Sequence, residues 1–301
     1  MRISTNTLYQ TAISKISNIQ AEQSKLQQQI ASEKRVLTPS DDPIAASRAL
    51  SISSSQSQNA QFAKNRQIAN TSLTGLDVSL GSITELLVTS RTTLVGNAGT
   101  LSANEKSILS TNLKASLQSL IGFANTKDAT GNYMYAGYQS DTVPFTATAM
   151  GATYNGDSQQ QQLQVDSQRK MVVNVPGDSV FQAGGNDVFS IYSDLITILD
   201  NPASTDTDVT NGVAAALTNM DTAISNVANI RSSIGTRLNE IDALNDSGSS
   251  RELQYAQALS ELVDLDYAQA ISDLSQRKVV LEAAQQSFIQ ITGLSLFNYI
   301  R

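Results

Sequence analysis

Apolar residues recur along this chain at alternating spacings of four and three. Ala12, Ile16, Ile19, Leu26 and Ile30 hold that rhythm in the first segment, and only Gln23 is polar in the series. A 4,3 repeat lines its members up on one stripe of a helix, the seam of a coiled coil. The stripe stops at the run from Thr38 to Pro43. There Asp42 can accept from the first N–H groups of a new helix, and Pro43 supplies a helical φ without needing a donor. A second helix is therefore expected from Pro43. Its later half repeats the rhythm at Ala69, Leu73, Leu76, Leu80, Ile83, Leu87 and Leu94, interrupted only by Ser90.

Gly96 and Gly99 should end that helix, and Ser102 with Glu105 forms a capping box for the next, whose stripe is Leu109, Leu113, Leu117, Leu120 and Ala124. From Gly131 the period shortens. Tyr133 and Tyr135, Val143 to Phe145, an Asn155-Gly156 turn, Leu163 and Val165, then Met171, Val173 and Val175 read as short strands and hairpins. Gln159 to Gln162 reads as a solvated polar tract, and Gly184-Gly185 as a turn. Val188, Ile191, Tyr192, Leu195 and Leu199 then mark one helical face that stops at Asn201-Pro202. The clearest seam follows at Val213, Leu217, Met220, Ile224, Val227, Ile234, Leu238 and Ile241, with Arg231 as its polar intruder. Ser247-Gly248-Ser249 is expected to break it and Ser249 with Glu252 to cap a last helix, carrying Val263, Tyr267, Ala270, Leu274, Leu281, Ala284, Phe288 and Ile291.

These elements predict a mainly α chain: an elongated antiparallel helical bundle or coiled coil built from both chain ends, with a small β-containing inserted domain. The expected divisions are terminal coiled-coil arms at 1–42 and 250–301, a helical bundle at 43–130 and 185–249, and a β-rich outer insertion at 131–184. A helix of roughly 55 residues extends about 80 Å, so a rod is expected. The middle seams can close on each other. The outermost two can pair only as a two-helix hairpin whose opposite sides are also partly apolar, at Ile13, Ile271 and Ile289. A hairpin of that kind is marginal alone and gains stability by packing against copies, so the arms are expected to be disordered in the free monomer. The expected assembly interface is therefore Ile16, Ile19, Leu26 and Ile30 on the first arm, with Tyr267, Leu274, Leu281, Phe288 and Ile291 on the last.

Composition narrows the chemistry. The 301 residues include no Cys and no His, which removes disulfides, thiolate nucleophiles, Cys/His zinc sites and imidazole bases. Twenty Lys and Arg against twenty-seven Asp and Glu leave a net charge of −7, the wrong sign for nucleic acid or an anionic membrane surface. No run approaches the 18 apolar residues of a membrane span, and the first residues show no apolar signal region. Asp41/Asp42 fits a helix cap and Asp264/Asp266 an exposed helix face better than acid–base work. Asp206-x-Asp208 has its glycine, Gly212, one position late for a calcium loop and Leu217 where a bidentate Glu should stand. The cluster Tyr133, Tyr135 and Tyr138 could stack on a sugar, but strand packing explains it more simply. No catalytic residue, cofactor or metal is expected.

The two ends are recognisable. "LQQQIASEKRVLTPSDDPIAASRAL" and "ELVDLDYAQAISDLSQRKVVLEAAQQSFIQITGLSLFNYI" resemble the N- and C-terminal signatures of the flagellin superfamily, and "NIRSSIGTRLNEIDAL" resembles its penultimate helix. The Pro39-Ser40-Asp41-Asp42-Pro43 run, "FANTKDATGNYMYAGYQSDTVPF", the later "YNGD" and the ending "SLFNYI" are more similar to the superfamily's hook–filament junction family than to filament flagellin. The resemblance implies a structural, non-enzymatic adaptor, exported unfolded by the flagellar type III apparatus and self-assembling as a ring layer outside the cell. It implies as partners the hook-side junction protein (hook-associated protein 1), the flagellin filament, and a cytoplasmic flagellar export chaperone on the C-terminal arm, with neither nucleic acid nor membrane. Filament flagellin, a non-flagellar coiled-coil secretion or adhesion protein, and a glycan-active insertion are the alternatives.

Overall fold

The computed structural model describes residues 2–97, 99–149 and 151–297. Its helices are α1 (Arg2–Ser32), α2 (Pro43–Gly96), α3 (Ala103–Ala124), α4 (Gly177–Phe181), α5 (Val188–Asp200), α6 (Asp206–Val263) and α7 (Tyr267–Phe297). The strands are β1 (Phe145–Thr148), β2 (Gly151–Tyr154), β3 (Gln162–Asp166) and β4 (Arg169–Val172). The chain divides into two compact units, residues 59–249 and residues 1–58 with 250–301.

In the unit 59–249, the seam of α2 from Ala69 to Leu94 and the seam of α6 from Val209 to Ile241 belong to one apolar core, as expected. Arg231, the polar intruder, lies half-buried and pairs with Asp77 at 2.8 Å. The capping box starts α3: the Ser102 Oγ accepts from the Glu105 N–H while the Glu105 carboxylate accepts from the Ser102 N–H at 2.8 Å. α3 packs on α5, whose first N–H groups, at Phe189 and Ser190, donate to the Asp187 carboxylate. Asp206 and Asp208 belong to the first turn of α6; the Asp208 carboxylate caps it by accepting from the Thr205 N–H at 2.9 Å, and the Asp206 carboxylate pairs with Lys106 at 3.0 Å.

Two antiparallel hairpins, β1–β2 and β3–β4, cover this core. Phe145 pairs with Tyr154 and Leu163 with Met171 across them. Phe145, Phe181 and Phe189 meet with ring centroids 4.9 to 5.2 Å apart, and Tyr154 and Tyr135 close the cluster. A chain poor in aromatics has gathered five of them here, where each buries more area than an aliphatic residue could.

Four local expectations need correction. α6 runs unbroken through Ser247-Gly248-Ser249, because Gly248 serves a close approach: a Cβ there would lie 2.4 Å from the Arg66 Nη2. The break falls instead at residues 264–266, where Asp266 caps α7 by accepting from the Gln269 N–H at 3.0 Å, so Asp264 and Asp266 lie in a loop and not on a helix face. Tyr133 sits in an isolated bridge to Lys127 and not in a strand, and Tyr135 is in no strand. Asn155-Gly156 follows β2 and does not turn a hairpin. Gly156 is small because the Tyr154 ring would stand under 3 Å from any Cβ.

Candidate assembly surface

The unit of residues 1–58 and 250–301 is built on α1 packed antiparallel to α7. Tyr9 meets Phe288 with ring centroids 5.0 Å apart, Glu22 pairs with Arg277, and the Tyr267 hydroxyl donates to the Ile30 carbonyl at 2.9 Å. Positions rise along one helix as they fall along the other. Ile16, Ile19, Leu26 and Ile30 are half-buried, as are Leu274, Leu281 and Phe288 on α7; Tyr267 is 44% exposed. The seams thus face each other and are only partly covered by doing so. The side chain of Ile291 lies outside the described residues.

Covering is incomplete because two helices give each seam one neighbour. Ile13, Ile16, Ser17 and Gln20 of α1 and Gln285, Phe288 and Ile289 of α7 line an open groove along one flank. Ile13, Ile271 and Ile289 are 47%, 53% and 67% exposed, as the sequence pattern required. Val279 and Val280 add further exposed apolar surface on α7, and Ile44, Leu50 and Leu253 do so on the nearer ends of α2 and α6. These last five were missed. They sit off the 4,3 stripe, so only isolated hydrophobicity marked them.

The loop between α1 and α2 is stiffened by its carboxylates. The Lys25 ammonium, 2.6 Å away, and the N–H groups of Thr38 and Leu37 hold the Asp41 carboxyl down from 3.8 to about 2. Asp42 is also held low, chiefly by the Ala45 N–H at 2.9 Å and then by Arg35. Both aspartates are therefore structural anchors, but only Asp42 caps α2 as expected; Asp41 instead holds the loop before it, through Leu37, Thr38 and Lys25. The same loop clips to the α6–α7 connection: Arg35 N–H donates to the Val263 carbonyl at 2.7 Å, and Leu265 N–H to the Glu33 carbonyl at 3.0 Å. Glu33 takes a positive φ of 60° to make that turn.

Elsewhere, Tyr135 is fully buried with its hydroxyl donating to Ser79 at 2.9 Å, and desolvation pushes its pKa up. Tyr138 is 58% exposed, so the three tyrosines present no common face for a ligand. Among the described residues there is no group of three or more metal-ligating side chains, and no helix is long and apolar enough to cross a membrane.

Comparison with known proteins places this architecture. The bacterial flagellin N-terminal helical region matches residues 3–140 and the bacterial flagellin C-terminal helical region matches residues 217–300. The chain is 34% identical to flagellar hook-associated protein 3 of Escherichia coli (strain K12) over 316 residues, covering 99% of each chain. It is 34% identical to the protein of the same name from Salmonella typhimurium, with 100% of both covered. The flagellar junction protein FlgL from Legionella pneumophila has the same fold, with a TM-score of 0.61 at 18% identity over 72% of this chain and 100% of that one. With both helical regions matched and the identity running end to end, the chain belongs to the flagellin family, in its hook-associated protein 3 group.

Proposed function

We propose that this chain is a structural component of the bacterial flagellum, the adaptor layer that joins hook to filament. The observation that carries the reading is the 34% identity to hook-associated protein 3 along 99% of both chains, arms included. Its arms are surfaces for copies of itself and for neighbouring layers. The hairpin's seams are half-buried and its flank is an apolar groove, which supports that use. Ile16, Ile19, Leu26, Ile30, Tyr267, Leu274, Leu281, Phe288 and Ile291 form the assembly interface in this reading.

The chain leaves the cell unfolded through the flagellar type III apparatus, with a cytoplasmic export chaperone on its C-terminal arm. Outside it forms a ring layer between the hook-side junction protein, hook-associated protein 1, and the flagellin filament. The arms at 1–42 and 250–301 order on assembly, around a bundle at 43–130 and 185–249 and an outward β-rich insertion at 131–184. It performs no catalysis, and packing is its whole chemistry. Electron microscopy of cells lacking the protein tests this. Intact hooks with filament protein shed into the medium are expected, and normal attached filaments would overturn it.

A further inference from the structure

A seam with a 4,3 repeat is degenerate: sliding one helix by a heptad against its partner returns apolar side chains to apolar neighbours. The seams of α2 and α6 have this property, with Leu73, Leu80 and Leu87 on one and Val213, Met220 and Val227 on the other. Something besides hydrophobic burial must choose a single register.

A buried polar layer answers that need. Arg66 is 2% exposed, among the largest fully buried side chains of the protein. Its Nε donates to the Asn245 Oδ1 at 2.7 Å, and its Nη1 donates to the Val165 carbonyl at 3.0 Å. Two turns back along α2, the Asn59 Nδ2 donates to the Gly248 carbonyl at 2.9 Å. Gly248 leaves the room for the guanidinium, since a Cβ there would stand 2.4 Å from Nη2. Asn65 donates to the Gln164 carbonyl at 2.7 Å, so β3 is seated on the same layer.

We propose that Arg66 and Gly248 form a register lock, which selects one alignment of α2 against α6 and seats the β3–β4 hairpin on it. In a slipped register the guanidinium loses the Asn245 amide and Gly248's open space: one heptad one way Leu238 and Ile241 take their places, and one heptad the other way Tyr255 fills the space that Gly248 leaves, either being far costlier than shifting Leu along Leu. The layer acts by excluding alternatives more than by adding stability, because a buried ionic group can often be replaced by an apolar one of similar volume without loss of stability.

The chain has no cysteine, so spin labels on Lys64→Cys and Asp242→Cys, both at exposed positions, report the alignment by pulsed dipolar distance measurement. The parent should give one narrow distance. Arg66→Met should keep its helix content yet split the distribution, the new population displaced by about 10 Å along the helix axis, one heptad. Gly248→Ala, which crowds the guanidinium without removing it, should broaden the distribution and lower the thermal midpoint. In the Arg66→Met background the same alanine should not lower it. A folded Arg66→Met protein with the parent's single distance overturns the lock. An Arg66→Met protein that fails to fold while Gly248→Ala keeps the narrow distance also overturns it, because Arg66 is then a stability element and not a selector.

Discussion

Tyr267, at the first position of α7, donates its hydroxyl to the Ile30 carbonyl of the last turn of α1 at 2.9 Å. The last four carbonyls of a helix have no intrahelical partner, so this contact satisfies one of them from the opposite helix. With the Arg35–Val263 and Glu33–Leu265 backbone bonds it ties the closed end of the terminal hairpin. Toward Tyr9 and Phe288 the two helices are joined by a ring contact and by the Glu22–Arg277 pair, an exposed ion pair worth no more than about 1 kcal/mol. Stability should therefore fall along the hairpin away from Tyr267.

Tyr267→Phe should make this gradient visible. It keeps the ring and removes one hydrogen bond, a loss of about 1 kcal/mol at most. Hydrogen exchange of α1 and α7 amides in the free chain should speed up by a few-fold near Ile30 and little in the unit 59–249. Equal acceleration in both units would show that the tie is not local.

The loop carboxylates set a pH limit. Asp41 has a folded pKa of about 2 against an ordinary 3.8. A depressed folded pKa gives stability that is fully present above about 4 and is lost as the pH falls toward 2. The loop between α1 and α2 should loosen in that window, read by proteolytic cleavage near Thr38 with an acid-active protease. Asp41→Asn should be looser at neutral pH and show a flatter dependence. An unchanged acid profile in the variant would remove Asp41 from the account.

The unit 59–249 should depend on its aromatic cluster. Phe145 is 1% exposed and touches Tyr154, Phe181 and Phe189, so Phe145→Ala leaves a cavity the backbone cannot close. A loss of about 3 to 5 kcal/mol is expected in urea unfolding. Loss below about 1 kcal/mol would mean that the hairpins contribute little to the core.

Much of this was legible in the amino-acid order because the signals are local. Asp42 before Pro43, Ser102 before Glu105 and the 4,3 stripes each need only a few neighbours in sequence to act, and each does so in the structure. The misreadings share a different cause. Gly248 and Gly156 read as a breaker and a turn, but each is small because a distant or folded-back side chain, Arg66 or Tyr154, fills the space. Asp266 read as one of a surface pair, although Gln269 three residues later offered a cap. The outward apolar residues at Ile13, Ile271 and Ile289 were foreseeable from period, whereas the groove that two of them line depends on how α1 and α7 roll against each other.

The assembly reading turns on which apolar residues are solvated in the free chain. Leu281 faces α1 and is half-buried, so Leu281→Asp should weaken the hairpin as well as any packing between copies. Ile271 separates the two effects. It is 53% exposed on α7, and a carboxylate at an exposed position shifts stability by no more than about 0.5 kcal/mol. If neighbouring subunits cover it, the same carboxylate becomes a buried, unpaired charge costing roughly 3 to 5 kcal/mol per subunit. Every copy in a layer carries the defect, so the penalties accumulate around it. Ile271→Asp should therefore match the parent in thermal unfolding and hydrogen exchange as a free chain, yet fail to restore swimming in cells lacking the protein. Leu281→Asp should fail in both respects, with faster exchange in α1 and α7. Normal swimming with Ile271→Asp would show that this face of α7 stays in solvent after assembly, leaving the flank groove at Ile13 and Ile289 as the contact to test next.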